Sequence, residues 1–198
     1  ARRRAVEELE TARLAAYHRP SLAAGRYTLQ DFVPRKEQVT VTEPIVSVNV
    51  DTIDKLKTCL QNGADLIMFG GESFHHQVIT HEEYRQAVEI TRKQGKKIIL
   101  NTPRIVKEWQ MNSLKAELDL FQELQPDAVS ISNLGVLHLA KKHLTLPLHG
   151  DYPLNIYNDL SLQFFAEQGV TSATLSPELN CAQITEINHG GKMSLECL

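Results

Sequence analysis

Short apolar runs alternate with amphipathic stretches from Pro44 to the end of the chain. Each amphipathic stretch ends in polar residues and a glycine, and a glycine just past a helix readily adopts the left-handed conformation that ends it. The apolar runs show little alternation, which is typical of strands covered on both faces. Four of these glycines stand ahead of an apolar run, at positions Gly63, Gly95, Gly169 and Gly191.

This pattern predicts seven strands, beginning near residues 44, 65, 97, 127, 146, 172 and 193, with helices between them. Thr80 and Glu83 have capping-box spacing ahead of the apolar positions Tyr84, Ala87 and Val88, so a helix is predicted to start there.

Alternating strands and helices at about 20 to 30 residues per unit predict an α/β fold with parallel strands and right-handed crossovers. A (β/α)8 barrel takes about 250 residues, whereas this chain holds about six β/α units and a seventh strand. We therefore predict an incomplete TIM-like barrel. An open doubly wound parallel sheet is the alternative, because it requires no missing strand.

The first 42 residues differ from the rest in charge, with a net charge of +3 against −6 for residues 43–198. A helix is predicted from residue 2 to about 17, ended by Pro20, and residues 25–42 are interpreted as an extended linker. We interpret Arg2–Arg4 as a solvated helix start rather than an RNA contact. The predicted domains are thus residues 1–42, a helix and linker, and residues 43–198, a partial barrel.

Composition narrows the class of protein. The chain has 198 residues, 42% of them hydrophobic, and a net charge of −3, which excludes collagen-like and wholly disordered chains. No apolar run approaches the roughly 18 to 20 residues of a membrane helix, so no membrane association is expected. Cys59, Cys181 and Cys197 have no CxxC spacing and indicate reduced thiols in a cytoplasmic protein. The chain begins without Met and ends on Ser-Leu-Glu-Cys-Leu, so we expect a fragment.

Function in a parallel β/α protein collects at the carboxyl ends of the strands. The candidate catalytic residues there are His149, Asp151, Asn155 and Glu178. Asp51 is also interpreted as a possible helix N-cap, and Ser176 as a cap before Pro177. The remaining polar or glycine positions after predicted strands are Asn49, Gly70, Gly71, Glu72, His75, His76, Asn101, Thr102, Arg104, Ser130, Ser132 and Asn133.

Several common catalytic motifs are absent from the sequence. It contains no GxGxxG, no P-loop and no GxSxG, which excludes the usual dinucleotide, P-loop and nucleophile-elbow sites. Residues 81–85 begin like HExxH but have Arg85 where the second His must stand, which excludes a zincin protease. No nucleophile–base pair is evident from the spacing.

Four segments, in order and at the expected spacing over residues 44–198, resemble motifs of the peptidase U32, or collagenase-like, family. The segments are Gly63-Ala-Asp-Leu-Ile-Met-Phe-Gly-Gly71, Asn133-Leu-Gly-Val-Leu-His-Leu-Ala140, Leu148-His-Gly-Asp-Tyr-Pro-Leu-Asn155-Ile-Tyr-Asn158 and Leu175-Ser-Pro-Glu-Leu179. The helix over residues 2–17 also resembles the segment before the barrel in long members. Asn133 and Pro153 depart from the common family residues.

The resemblance implies a TIM-like barrel. The functions attributed to family members are of two kinds. Members were first named as collagenases or proteases, that is, hydrolases, and better understood relatives act in hydroxylation of RNA bases or of ubiquinone. Some bind a 4Fe-4S cluster through four cysteines, which by resemblance would lie beyond residue 198. Cys197 therefore receives no ligand role, and no cofactor or metal is expected within this chain.

We expect RNA modification rather than proteolysis, with RNA or a peptide as substrate, and a non-catalytic binding scaffold as the alternative. The chain alone is expected to be inactive, so whether it is itself an enzyme stays open. Stopping at a seventh strand leaves two open sheet edges, which favours self-association. The inner faces of the first and last strands are expected to be apolar through Ile45, Val46, Val48, Met193 and Leu195.

Overall fold

The computed structural model describes residues 2–17, 43–71, 78–187 and 193–198. The chain divides into two units, residues 1–33 and 34–198. The first contains helix α1 (Arg2–Ala16), in which Arg3 pairs with Glu7 and Arg4 with Glu8 one turn away. These pairs suit the solvated helix start expected for the arginines. The linker predicted over residues 25–42 lies outside the described residues, and the domain boundary at residue 42 stays a prediction.

The second unit is a curled parallel sheet with helices between its strands. The strands are β1 (Ser47–Val50), β2 (Leu66–Gly70), β3 (Lys97–Asn101), β4 (Ala128–Ile131), β5 (Leu148–Gly150), β6 (Val170–Thr174) and β7 (Ser194–Glu196). The helices are α2 (Ile53–Gln61), α3 (His81–Lys93), α4 (Met111–Leu124), α5 (Leu134–His143), α6 (Asp159–Glu167) and α7 (Cys181–Glu186). Short 3-10 turns occupy Glu108–Gln110 and Tyr152–Leu154.

Strand order decides between the two predicted architectures. The seven strands pair in chain order, and every pair is parallel. A doubly wound sheet reverses its strand order at a switch point, and this sheet does not. The Ser47 hydroxyl on β1 also donates a hydrogen bond to the Glu196 carboxylate on β7, so the curl brings the first and last strands together. The prediction of an incomplete TIM-like barrel is confirmed.

Local signals in the sequence set the helix ends. Thr80 begins α3 with the predicted capping box, since its hydroxyl accepts from the Glu83 amide while the Glu83 carboxylate accepts from the Thr80 amide. At α2 the interpretation of Asp51 as the N-cap is wrong. Thr52 is the cap residue, and the buried Asp51 carboxylate instead accepts from Lys55 Nζ at 2.5 Å.

The outer face of the sheet packs under the helices and forms the main core. Phe69, Ile98, Leu100 and Val129 are fully buried there. Tyr84 of α3 meets the ring of Phe69 edge-on, with the ring centroids 5.8 Å apart. Aromatic pairs favour this arrangement because the positive ring edge faces the negative ring face.

The inner face of the sheet, which lines the lumen, is apolar only toward its base. Met68, Ile99 and Ala128 form a small buried cluster there. The rest of this face is polar on most strands, and the polar residues on it include Ser47, Asn49, Asn101, Ser130, His149, Ser172, Thr174, Ser194 and Glu196.

The prediction that the inner faces of the first and last strands are apolar is therefore wrong. Val48, Met193 and Leu195 pack with the outer core, because alternation along each strand turns their neighbours toward the lumen. Ile45 and Val46 precede β1 and are 60% and 59% exposed. No helix among the described residues is both long and apolar enough to span a lipid bilayer.

Candidate functional site at the carboxyl half of the lumen

His149 lies on the lumen face of β5. Its ring is 3% exposed, and both nitrogens have partners on β6. Nδ1 lies 2.9 Å from Ser172 Oγ, and Nε2 lies 2.9 Å from Thr174 Oγ1. A buried imidazole fixed at both nitrogens has one orientation, so His149 is a rigid part of the wall.

A β-bulge places these two hydroxyls. Leu148 is in register with Val170, but His149 is in register with Ser172, so Thr171 is an extra residue in β6. The extra residue turns Ser172 and Thr174 to the side of His149, while Val170 and Ala173 both face the outer core. Bulges re-aim side chains in this way and are frequent near active sites.

Glu196 supplies a carboxylate from β7. Its Oε2 accepts from Thr174 Oγ1 at 2.5 Å and lies 3.4 Å from His149 Nε2, and its Oε1 accepts from Ser47. Burial alone would raise the pKa of Glu196, but hydrogen bonds from His149, Ser47 and Thr174 outweigh burial and hold that pKa at about 2. Glu196 is thus an anion throughout the neutral range.

The donors and acceptors of the network define one arrangement of its protons when the imidazole is neutral. Because the Thr174 hydroxyl gives its hydrogen to Glu196, its oxygen accepts from Nε2–H of His149. In the neutral imidazole Nδ1 is then an acceptor, so the Ser172 hydroxyl donates to it. The hydrogen bonds therefore run in one direction, from Ser172 through His149 and Thr174 to Glu196.

A second polar group lies beside His149 on the paired strands. Asn101 Nδ2 donates to Asn49 Oδ1 at 3.1 Å, which leaves Asn101 Oδ1 without a hydrogen-bond partner among the described residues. Ser130 Oγ also has none there, and the two side chains are 7% and 1% exposed. Unsatisfied buried polar atoms are costly, and each indicates a bound group or an ordered water.

The predicted catalytic residues occupy different depths. Asp151 follows β5 directly, and its carboxylate accepts from Ser132 Oγ at 3.1 Å and from the Tyr152 amide at 2.8 Å. Asn155 and Glu178 are exposed, and Asn155 has a left-handed backbone, with φ of 52°. The structure thus brings Asp151 to Ser132 but brings neither Asn155 nor Glu178 within hydrogen-bond distance of His149.

The other polar positions singled out from the sequence are mainly structural. Asn133 is the N-cap of α5 and accepts from the Val136 amide. The Thr102 hydroxyl donates to the Ser130 carbonyl, and the buried Ser176 accepts from the Glu178 amide at 3.5 Å. Glu72, His75 and His76 lie outside the described residues.

Four residues of the hydrogen-bond network around His149 were not predicted from the sequence: Ser47, Ser172, Thr174 and Glu196. The sequence of the last strand could have identified Glu196 as a lumen residue. There the apolar Met193 and Leu195 alternate with the polar Ser194 and Glu196, which is the period of two expected for a strand. The structure also places the Ser172 hydroxyl 2.9 Å from His149 Nδ1, a pairing that the spacing in the sequence did not reveal.

The cysteines do not fit an iron–sulfur cluster within this chain. Such clusters are held by four thiolates, whereas this chain has three cysteines. Cys59 lies on α2 and Cys197 follows β7. Burial, then the charges of Glu196 and Cys181, raise the pKa of the Cys197 thiol and oppose the thiolate that a metal requires. In the described part of the chain, no three His, Cys, Asp or Glu residues are grouped to hold a metal ion.

Comparison with known proteins supports the barrel fold. The chain is 30% identical over 141 residues to an uncharacterized protease of Methanocaldococcus jannaschii, covering 69% of this chain and 34% of that protein. It is 29% identical over 142 residues to tRNA hydroxylation protein P of Helicobacter pylori, covering 68% and 33%. This chain thus spans about a third of the length of these curated relatives. A solved U32 peptidase superposes with a TM-score of 0.61 at 15% identity, covering 83% of this chain and 71% of that one, which supports the fold alone.

The model of peptidase family U32 matches residues 51–198. This region holds β2 to β7 and all the candidate catalytic residues, whereas β1, with Ser47 and Asn49, precedes it. The similar proteins carry the names of a protease and of tRNA hydroxylation proteins. By the match of the family model, the chain belongs to peptidase family U32.

Proposed function

We propose that this chain is the base-binding barrel of a cytoplasmic protein that acts in RNA-base hydroxylation. The observation that carries the proposal is the pair of buried, unpartnered polar atoms, Asn101 Oδ1 and Ser130 Oγ, beside His149 at the carboxyl half of the lumen. A base edge carries N–H donors and carbonyl acceptors that match an amide oxygen and a hydroxyl. Three similar proteins, from Helicobacter pylori and Escherichia coli, are named for tRNA hydroxylation.

Proteolysis is the second candidate, because Ser172, His149 and Glu196 supply a hydroxyl, an imidazole and a carboxylate. A serine protease needs an imidazole nitrogen that faces the leaving group of the substrate. The ring of His149 is buried, and its nitrogens face Ser172 and Thr174. This arrangement suits a polar wall better than a cleavage site, and a binding scaffold without chemistry of its own remains the further alternative.

We assign the hydroxylation chemistry to the part of the relatives' length that this chain does not span. A 4Fe-4S cluster, if the full-length protein carries one, requires cysteines outside the 198 residues, since three are too few. In this proposal the barrel orients the RNA base, and the Asn101 amide oxygen and the Ser130 hydroxyl hold its polar edge.

Complementation tests the proposal. A strain lacking the gene receives the full-length protein, its Asn101→Ala or Ser130→Ala variant, or Asn112→Ala, an exposed control on α4. We expect mass spectrometry of tRNA nucleosides to show hydroxylated bases restored by the wild type and the control, and at least tenfold less product with the two lumen variants. Normal nucleosides in the deletion strain, together with peptide cleavage that needs Ser172, would overturn the proposal in favour of a protease. Visible absorbance of the full-length protein prepared without oxygen tests for the cluster.

A further inference from the structure

Several large apolar side chains are exposed on the rim of the barrel, at the carboxyl ends of the strands. Each follows a strand, in a loop or in the first turn of the next helix. Isolated exposed apolar residues need no explanation, but several on one face mark a binding surface. The residues are Val78, Ile105, Trp109, Leu134, Tyr157 and Leu160.

Arg104 ties three of these loops into one surface. Its guanidinium donates to the Tyr152 hydroxyl at 2.6 Å, which joins the β3–α4 loop to the β5–α6 loop. Its backbone carbonyl accepts from Asn133 Nδ2 at 3.1 Å, which adds the start of α5. We call Arg104, Lys107, Trp109 and Tyr152 the rim platform. Because these loops hydrogen-bond one another, Arg104 and Tyr152 are positioned before any ligand arrives, and Lys107 and Trp109 follow Arg104 on the same connection between β3 and α4.

Trp109 is the most informative member of the rim platform. It is the only Trp in the chain, and it is 77% exposed. Lys107, two residues earlier, is exposed as well. Exposed aromatic rings beside Arg and Lys are how proteins bind single-stranded nucleic acid, since bases stack on the rings and the cations contact phosphates.

We propose that the rim platform binds a single-stranded segment of RNA, with one base stacked on Trp109 and a phosphate beside Lys107. This inference rests on the proposed function and identifies the surface through which the RNA is held. The β3–α4 loop begins directly after Asn101, and the β5–α6 loop begins at Asp151. The rim platform therefore lies at the same end of the sheet as Asn101 and Ser130, and in this proposal the next base along the strand reaches these two side chains.

Fluorescence of Trp109 reports binding directly because no other Trp contributes. We expect a single-stranded RNA of mixed sequence to quench this emission to saturation, and the same RNA in a perfect duplex to quench it little. Unchanged emission in the presence of single-stranded RNA would overturn the proposal. So would a blue shift that depends only on protein concentration, since it would mean that a second copy covers the platform.

Two substitutions separate stacking from charge, using the anisotropy of labelled RNA. Trp109→Ala should weaken binding at least about fivefold, whereas Trp109→Phe should retain it because a ring remains. Lys107→Ala should lower the slope of log affinity against log salt by about 0.7. Phe164→Ala, an exposed aromatic on α6, is the matched control. Equal affinity for Trp109→Ala and wild type contradicts the assignment.

The two proposals fail separately. If full-length Trp109→Ala restores base hydroxylation in the deletion strain as well as wild type does, the rim platform is wrong while the hydroxylation role stands. If the RNA quenches Trp109 but the deletion strain keeps all its hydroxylated bases, the rim platform stands as an RNA site, and the hydroxylation role is wrong.

Discussion

The carboxylate of Glu196 on β7 reaches past β6 to lie 3.4 Å from Nε2 of His149 on β5, although these two strands do not pair. Thr174, on the strand between them, hydrogen-bonds both groups. The inside of the curled sheet is thus held by side chains as well as by the backbone ladder. Glu196 gives the lumen wall a fixed negative charge beside its imidazole.

Acid should weaken the fold through Glu196. Its pKa is lowered from 4.5 to about 2 on folding, so its stabilising contribution is complete above pH 4.5 and is lost as the pH falls toward 2. Glu196→Gln should reduce the unfolding free energy at pH 7 by about 2 kcal/mol and flatten the loss between pH 4.5 and 2. Denaturant titrations across this range measure both effects. The exposed Glu178→Gln is the control, and an identical acid profile for Glu196→Gln and wild type would refute this role.

Glu117 on α4 should make the protein less stable as the pH rises, which is the opposite of the effect of Glu196. Burial raises its pKa from 4.5 to about 7, and its Oε1 has no hydrogen-bond partner among the described residues. The folded state therefore holds a proton that the unfolded chain releases, so stability should fall as the pH rises from 4.5 to 7.

Removing this carboxyl should stabilise the protein at high pH. At pH 8 Glu117→Gln is expected to raise the unfolding free energy by up to about 3 kcal/mol, with little gain at pH 4.5. Thermal unfolding at the two pH values, with the exposed Glu108→Gln as control, checks this. A gain of the same size at both pH values would show that packing, not ionisation, is responsible.

Gly70 should tolerate no side chain. Its φ is 102°, and an added Cβ would lie 2.6 Å from Cε1 of Tyr84, a buried ring. Gly95 has φ of 67° but nothing within 4 Å of an added Cβ. Gly95→Ala should therefore cost about 1 kcal/mol from backbone strain alone, and Gly70→Ala about 3 kcal/mol. Equal costs in denaturant titration would mean that the contact with Tyr84 relaxes freely.

Open sheet edges should cause self-association. The side-chain hydrogen bond from Ser47 to Glu196 brings β1 near β7, but in the described part of the chain no backbone pairing joins these two strands, so both present unpaired backbone groups. We expect light scattering of the 198-residue chain to show dimers or larger species at micromolar concentration. Ile45→Lys, which places a charge beside β1, should reduce association, whereas Val78→Lys on the rim should not. A monomer at all concentrations would contradict this expectation.

Local sequence was enough to predict the order of strands and helices. The capping residues Thr80 and Glu83 and the glycines after the helices act over a few residues, so their effects can be seen without the fold. The candidate site was predicted in part. His149 and Asp151 line the lumen or its mouth, whereas the contact of Ser47 with Glu196 joins residues 149 positions apart. That contact depends on the curl of the whole sheet, and the pairing of His149 with Ser172 depends on the bulge at Thr171. No local pattern encodes either of them.

The hydrogen bond between Ser47 and Glu196 also has a consequence for how the protein is made. Ser47 and His149 are synthesised before Glu196, which lies 149 and 47 residues further along the chain. Contacts between residues so far apart in sequence form late, because a long loop must close first. The six earlier strands can assemble during synthesis while His149 still lacks its carboxylate. The lumen wall therefore acquires the negative charge of Glu196 only when β7 docks.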